Sequence, residues 1–186
     1  MKKTVLTFGL ISGAILSLMM LSTLPFIDRI GFEKGEIIGY TTMVLSFLMV
    51  FFGIRSYRES VGAGTISFGR AFSVGILITL ISCVCYVITW EIIYFKLMPG
   101  FGEKYANYMI EQLRVSGASQ QVIDAKLQEM KSFKAMYDNP LINAAISFIE
   151  PFPIGLIITV ISAAILRKKP KPTDRHERIG EALTSP

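Results

Sequence analysis

Four long apolar stretches divide the chain, and polar segments of unequal length separate them. The stretches cover residues 4–26, 37–54, 71–95 and 141–166. A helix that crosses a bilayer needs about 20 predominantly apolar residues. The pattern therefore predicts four membrane spans and an all-α fold, an integral membrane four-helix bundle.

Composition supports a membrane location. Hydrophobic residues make up 52% of the 186 residues and charged residues only 18%, whereas a soluble domain is usually about a quarter charged. The N-terminal stretch could also belong to a secretion signal. Its apolar run is longer than a typical signal core, and no small-x-small cleavage site follows it. We therefore interpret it as a retained first helix.

The segment between spans three and four has its own helical periodicity. Gly117 fits the end of one helix and Ser119 the start of another. Residues 103–138 are thus predicted to form an amphipathic helical hairpin on the outer surface of the bundle or in the headgroup zone. Its two apolar faces consist of Tyr105, Met109 and Leu113, and of Ile123, Leu127, Met130 and Tyr137.

Cations cluster before span one, between spans two and three, and after span four. Cytoplasmic loops carry an excess of Lys and Arg, so both termini are predicted to be cytoplasmic and the hairpin extracytoplasmic. A net charge of +5 distributed in this way argues against a nucleic-acid partner. The polar tail, residues 170–186, is predicted to be disordered. The topology-setting cations are Arg55, Arg58, Arg70, Arg167, Lys168 and Lys169.

Small residues recur at helical spacing within the spans. Small side chains let helix backbones approach closely in lipid. We interpret them as packing positions inside the bundle, in preference to a pore or a dimer seam. The glycines concerned are Gly9, Gly13, Gly75 and Gly155.

The stretch "FIEPFPIG" places Glu150 before Pro151 and Pro153 at the front of an apolar run. Proline removes a helical hydrogen bond and disfavours a helical conformation in the preceding residue. Two structures remain open. In one, a short span starts at Pro151 and Glu150 lies at its outer end. In the other, which we favour, the helix is continuous but kinked and Glu150 is shallow.

A second acid, Glu91, lies near the outward end of span three. It is either an interfacial carboxylate, solvated or paired with Lys96, or a functional ionisable group. If Glu91 and Glu150 face each other, they could form a proton- or cation-linked site.

Signs of catalysis and metal binding are missing from the sequence. There is no HExxH or GxSxG motif, and the sole histidine, His176, lies in the polar tail. Cys83 and Cys85 lie within an apolar run and belong to no metal-ligand pattern. We therefore expect no enzyme activity, no cofactor and no metal site. The expected partners are the lipid bilayer and other membrane proteins or a second copy of the chain.

The segment after span two has the densest local signature. "FFGIRSYRE", then a glycine turn and "ISFGRAFSVG", together with the later "GAS", "NP" and "RKK", resembles a bacterial membrane protein family called domain of unknown function 4199. The resemblance covers roughly residues 1–170. It implies a small four-helix inner-membrane protein, mostly from the Bacteroidota, and it brings no established activity or catalytic residue.

Two functional hypotheses follow from the sequence. The first is a non-enzymatic accessory, assembly or envelope component that acts through contacts of its helices and hairpin. The alternative is a small transporter or proton-linked permease that uses Glu91 and Glu150. The small uncharged residues that recur at helical spacing favour the first hypothesis. A polar cavity that reaches the two glutamates would favour the second.

Overall fold

The computed structural model describes residues 1–169, and within them every regular element is helical. The predicted tail, residues 170–186, lies outside the described residues. The helices are α1 (Lys2–Thr23), α2 (Ile27–Ile30), α3 (Phe32–Ser60), α4 (Phe68–Ile92), α5 (Phe101–Val115), α6 (Gln120–Tyr137), α7 (Pro140–Ile149) and α8 (Pro151–Leu166). A 3-10 turn (Leu24–Phe26) follows α1, and a π-helical turn (Ile93–Leu97) follows α4.

Four helical stretches are long and apolar enough to cross a membrane, which confirms the predicted fold class. Each exceeds the length that a bilayer core requires. They are Lys2–Ile30, Phe32–Ser60, Phe68–Leu97 and Pro140–Leu166. The helices α5 and α6 lie between the third and fourth spans and pack against each other. Their extracytoplasmic location stays a prediction.

Local sequence explains where several helices start and stop. Gly31 separates α2 from α3 with a φ of 75°, a conformation that favours glycine. The Ser67 side chain caps α4 by accepting a hydrogen bond from the Arg70 backbone N–H at 3.4 Å. Asn139 caps α7 in the same way through Leu141 N–H, and Pro140 occupies the first helical position.

The central helix of the bundle is α4, which packs against α1, α3, α7 and α8. Close contacts explain the predicted small residues. A Cβ added to Gly13 would lie 2.6 Å from Cys85 Sγ, and one added to Gly9 would lie 2.8 Å from Ile81 Cβ. The other two glycines, Gly75 and Gly155, would likewise meet Thr159 and Thr79.

Buried hydroxyl groups join the spans where small residues bring them together. The hydroxyls of Thr79 and Thr159 lie 3.0 Å apart and link α4 to α8. The Ser12 hydroxyl donates to the Ser46 carbonyl at 3.0 Å and links α1 to α3. These contacts satisfy polar groups that lipid could not.

The cationic end of the bundle, where α3 ends and α4 begins, is tied together by backbone and side-chain hydrogen bonds. Ile66 and Lys168 exchange two backbone hydrogen bonds of 2.9 Å. The Arg58 guanidinium donates to the Leu166 carbonyl at 3.4 Å, where a cation stabilises the C-terminus of α8. The remaining predicted cations, Arg55, Arg70, Arg167 and Lys169, belong to the same end. The side of the membrane on which it lies stays a prediction.

Candidate functional site

A cavity of about 930 Å³ opens at the opposite end of the bundle, which we call the hairpin end. It lies between the first half of α3, the end of α4 and the faces of α5 and α6. It exists because α3 packs against α1, α4 and α8 but makes no comparable contact with α7. Its volume falls within the range of small-molecule sites.

Aromatic rings dominate the wall of this cavity. Phe32, at the start of α3, lies 5.1 to 5.7 Å from the rings of Phe101, Tyr105 and Tyr108 on α5. These ring contacts, two edge-on and one tilted, join α5 of the hairpin to the start of α3. Further rings on the wall are Tyr40, Tyr86, Trp90, Tyr94, Phe133 and Tyr137.

Glu150 lies on the cavity wall, at the break between α7 and α8. Pro151 and Pro153 fall in the first turn of α8, where backbone N–H groups lack intrahelical partners in any case. Glu150 comes ten residues after Pro140, a rise of about 15 Å along a helix. The fourth candidate span, Pro140–Leu166, therefore includes Glu150 at the break between its two helices. The depth of Glu150 in the membrane stays a prediction.

One hydrogen bond anchors the Glu150 carboxylate. The hydroxyl of Tyr86, itself buried in α4, donates to Oε2 of Glu150 at 2.7 Å. No Lys or Arg within residues 1–169 lies within ion-pair distance of Glu150. Glu150 as a whole is an exposed residue, and it lines the cavity.

Glu91 occupies a different position. It is half-buried on α4 and does not line the cavity, so the structure does not bring the two candidate carboxylates into one site. Its Oε1 is buried without a hydrogen-bond partner among the described residues. The pairing with Lys96 that we considered from the sequence is not formed in the described part of the chain.

A buried polar cluster attaches the end of α6 to α4 and α7. The indole N–H of Trp90 donates to the Tyr137 hydroxyl at 2.9 Å, and that hydroxyl lies 3.1 Å from Ser147 Oγ. The amide of Asn143, a fully buried side chain, donates to the Tyr137 carbonyl at 3.2 Å. Burial raises the pKa of Tyr137, so its phenol stays protonated and can serve both neighbours.

A second attachment lies beside it, just before α7. The Tyr94 hydroxyl donates to Asp138 Oδ1 at 2.8 Å, and Lys134 Nζ lies 2.9 Å from Asp138 Oδ2. Hydrogen bonds from Lys134 and then Tyr94 lower the pKa of Asp138. The hydrogen bond between Lys134 and Asp138 raises the pKa of Lys134.

The charged groups on the cavity wall are mainly acidic. Three carboxylates, those of Glu33, Glu36 and Glu150, share the wall with a single cation, Lys134. Lys134 is already paired with Asp138. Glu36 is not among the site residues predicted from the sequence, although Glu36 and Tyr40 are four residues apart and so lie on one face of α3.

Most of the aromatic wall is likewise not predicted from the sequence. The signal is present, because Tyr86, Trp90 and Tyr94 recur at four-residue steps through α4 and the π-helical turn after it, but such spacing also describes an aromatic belt. Within residues 1–169, no group of three His, Cys, Asp or Glu residues is placed to hold a metal ion.

Comparison with known proteins gives one match. A family model described as "Protein of unknown function (DUF4199)" matches residues 7–168. No curated protein and no solved structure matches the chain.

Proposed function

The chain belongs to the DUF4199 family of proteins of unknown function, and we propose that it is a non-enzymatic membrane protein that binds a small amphiphilic molecule in its cavity. The observation that carries this proposal is the cavity at the hairpin end, with its aromatic rings and Glu150 on the wall. Apolar walls with a few polar groups are typical of small-molecule sites.

The closed half of the bundle supports binding in preference to conduction. Between the cavity and the cationic end, α3 contributes Phe47, Val50 and Ile54, all with no exposed surface. The cavity therefore does not continue through this half of the bundle. A molecule that enters it meets packed side chains before it could cross.

An accessory, assembly or envelope role fits such a binding protein. In the bacterial inner membrane, with both termini cytoplasmic, the cavity would face the extracytoplasmic side and receive molecules from there. Exposed apolar side chains such as Leu6, Leu18 and Leu48 suit contact with lipid or with other membrane proteins.

A second candidate is a small proton-linked permease. The observation that favours it is the position of Glu150, because a carboxylate inside a span often marks a transport pathway. This function needs a further conformation in which the packed half around Phe47 opens. Glu91 has no place in this site, since it does not line the cavity.

Filling the cavity tests the proposed function. Gly39 lines the cavity, and a Cβ added there meets nothing within 4 Å. Gly39→Phe should therefore fold normally and occupy the space that a ligand needs. Gly69→Phe is the matched control, because Gly69 has equal room and does not line the cavity.

The measurement is mass spectrometry of small molecules that co-purify with each variant from native membranes. We expect one class of molecule to accompany the wild type and Gly69→Phe and to be lost from Gly39→Phe. Equal small-molecule content in all three proteins would contradict the proposed binding function.

A further inference from the structure

We propose that the ligand of this cavity is an amphiphilic organic cation, with an ammonium group held beside Glu150 and an apolar body against the aromatic wall. This inference rests on the proposed function and specifies the chemical class of ligand. It follows from three features of the cavity: its charge, its rings and the apolar remainder of its wall.

The charge of the wall selects a cation. Glu150 has one protein donor, the Tyr86 hydroxyl, and no cationic partner within residues 1–169. Glu36, on the facing helix α3, adds a second carboxylate to the same wall. A carboxylate within a span is costly to keep ionised unless a positive group accompanies it. A ligand ammonium group would supply that charge.

The rings near Glu150 suit an organic cation better than a metal ion. Tyr40, Tyr86, Trp90 and Tyr137 share the wall with Glu150. Aromatic faces attract ammonium groups, most strongly where water is excluded. A hard metal ion would need several oxygen ligands, and no group of three acidic, His or Cys side chains within residues 1–169 could provide them.

The remainder of the wall suits an apolar body on the ligand. It presents aliphatic and thioether side chains, which bind alkyl groups without a hydrogen-bonding requirement. These side chains include Met19, Met20, Ile27, Met43, Met109 and Met130. A small hydrated cation would leave this surface unused.

The test compares three probes of equal chain length: hexyltrimethylammonium, hexanol and hexanesulfonate. Binding is measured by calorimetry on the full-length protein in neutral maltoside micelles. We expect the cation to bind most tightly and Glu150→Gln to weaken its binding about tenfold or more. Gln keeps an oxygen that can accept from Tyr86, so loss of charge is isolated from loss of fold.

Two further variants locate the cation. Tyr40 is 42% exposed, so Tyr40→Leu should preserve the fold while weakening cation binding several-fold. Tyr40→Phe keeps the ring and should bind like the wild type. Gly39→Phe should abolish binding, whereas Gly69→Phe should leave it unchanged.

The outcomes separate this inference from the proposed function. If hexanol binds as tightly as the cation, or if Glu150→Gln has no effect, the inference of a cationic ligand is overturned. Binding that Gly39→Phe removes would still support the cavity as a binding site. If Gly39→Phe removes the binding of none of the three probes, and no small molecule co-purifies with the wild type, both the cation inference and the proposed binding function are overturned. If phosphatidylethanolamine in nanodiscs competes with the hexyltrimethylammonium probe, the inference is upheld and the natural ligand is a lipid amine. If the probe binds undiminished in these nanodiscs, the inference is upheld and the natural ligand is a soluble amine.

Discussion

The hydroxyl of Tyr86 donates a 2.7 Å hydrogen bond to Oε2 of Glu150, and this contact joins α4 to the break between α7 and α8. Tyr86 is only 7% exposed, so the donor is fixed by packing in the central helix. Tyr86 therefore holds the acid at one oxygen, Oε2. Tyr86 thus positions the Glu150 carboxylate, but no Lys or Arg within residues 1–169 pairs with its charge.

Stability should depend more on Pro151 than on the charge of Glu150. Pro151→Ala removes a fully buried ring and lets position 151 donate to the Ser147 carbonyl, which would straighten the span. We expect it to lower the free energy of unfolding by about 1–3 kcal/mol. Glu150→Gln should change it by less than about 1 kcal/mol, because the Gln oxygen can still accept from Tyr86.

Detergent melting of the two variants side by side measures this difference. Tyr86→Phe serves as the control for the hydrogen bond alone, since it removes the donor and keeps the ring. A clearly larger loss for Glu150→Gln than for Pro151→Ala would show that the charge, and not the bend, stabilises this region.

Close helix approach should make Gly13 intolerant of a side chain. A Cβ at Gly13 would lie 2.6 Å from both Cβ and Sγ of Cys85, so Gly13→Ile must push α1 from α4. Overpacking of this kind costs about 1–3 kcal/mol. Leu6→Ile is the control, because Leu6 is 52% exposed. Equal melting temperatures for the two variants would mean that this contact does not stabilise the bundle.

Topology can be tested with single cysteines at the two ends. In a background of Cys83→Ala and Cys85→Ala, we expect Ser119→Cys to react with an impermeant thiol reagent in cells with a permeabilised outer membrane. Ser60→Cys should not react until the inner membrane is opened. Both serines are exposed, so access depends on the membrane alone. The reverse labelling pattern would invert the predicted orientation.

Acid should loosen the hairpin near Asp138. Its lowered folded-state pKa means that its contribution is complete above its ordinary value, about 3.9, and is lost as the pH falls through the folded pKa. The raised pKa of Lys134 keeps that partner charged throughout this range. The attachment at Tyr94 should thus persist at neutral pH and weaken well below pH 4.

Hydrogen exchange at the end of α6 between pH 7 and pH 3, corrected for intrinsic rates, measures this effect. Asp138→Asn keeps an oxygen acceptor for Tyr94 but has no proton to gain. In this variant, the amides at the end of α6 should keep their protection from hydrogen exchange at low pH, whereas the wild type should lose it. An identical pH profile in the variant would assign the loosening to other groups.

Apolar periodicity was sufficient to predict the helical class and the four spans, because a bilayer imposes length and composition on every crossing segment. The cavity could not be predicted in this way. Its wall combines side chains from segments far apart in the chain, such as Phe32 of α3 and Tyr108 of α5, whose rings lie 5.1 Å apart. Glu91 and Glu150 looked equivalent in the sequence, yet only Glu150 lies beside the cavity.

The hydrogen bond between Trp90 and Tyr137 also has an optical consequence. Trp90 is the only tryptophan in the chain, and it lies on the cavity wall, where the hairpin meets α4. Indole emission shifts with the polarity and hydrogen bonding around the ring, so the wild-type protein carries one native fluorophore at its candidate site. Its spectrum should report occupancy of the cavity and detachment of α6 without any added label.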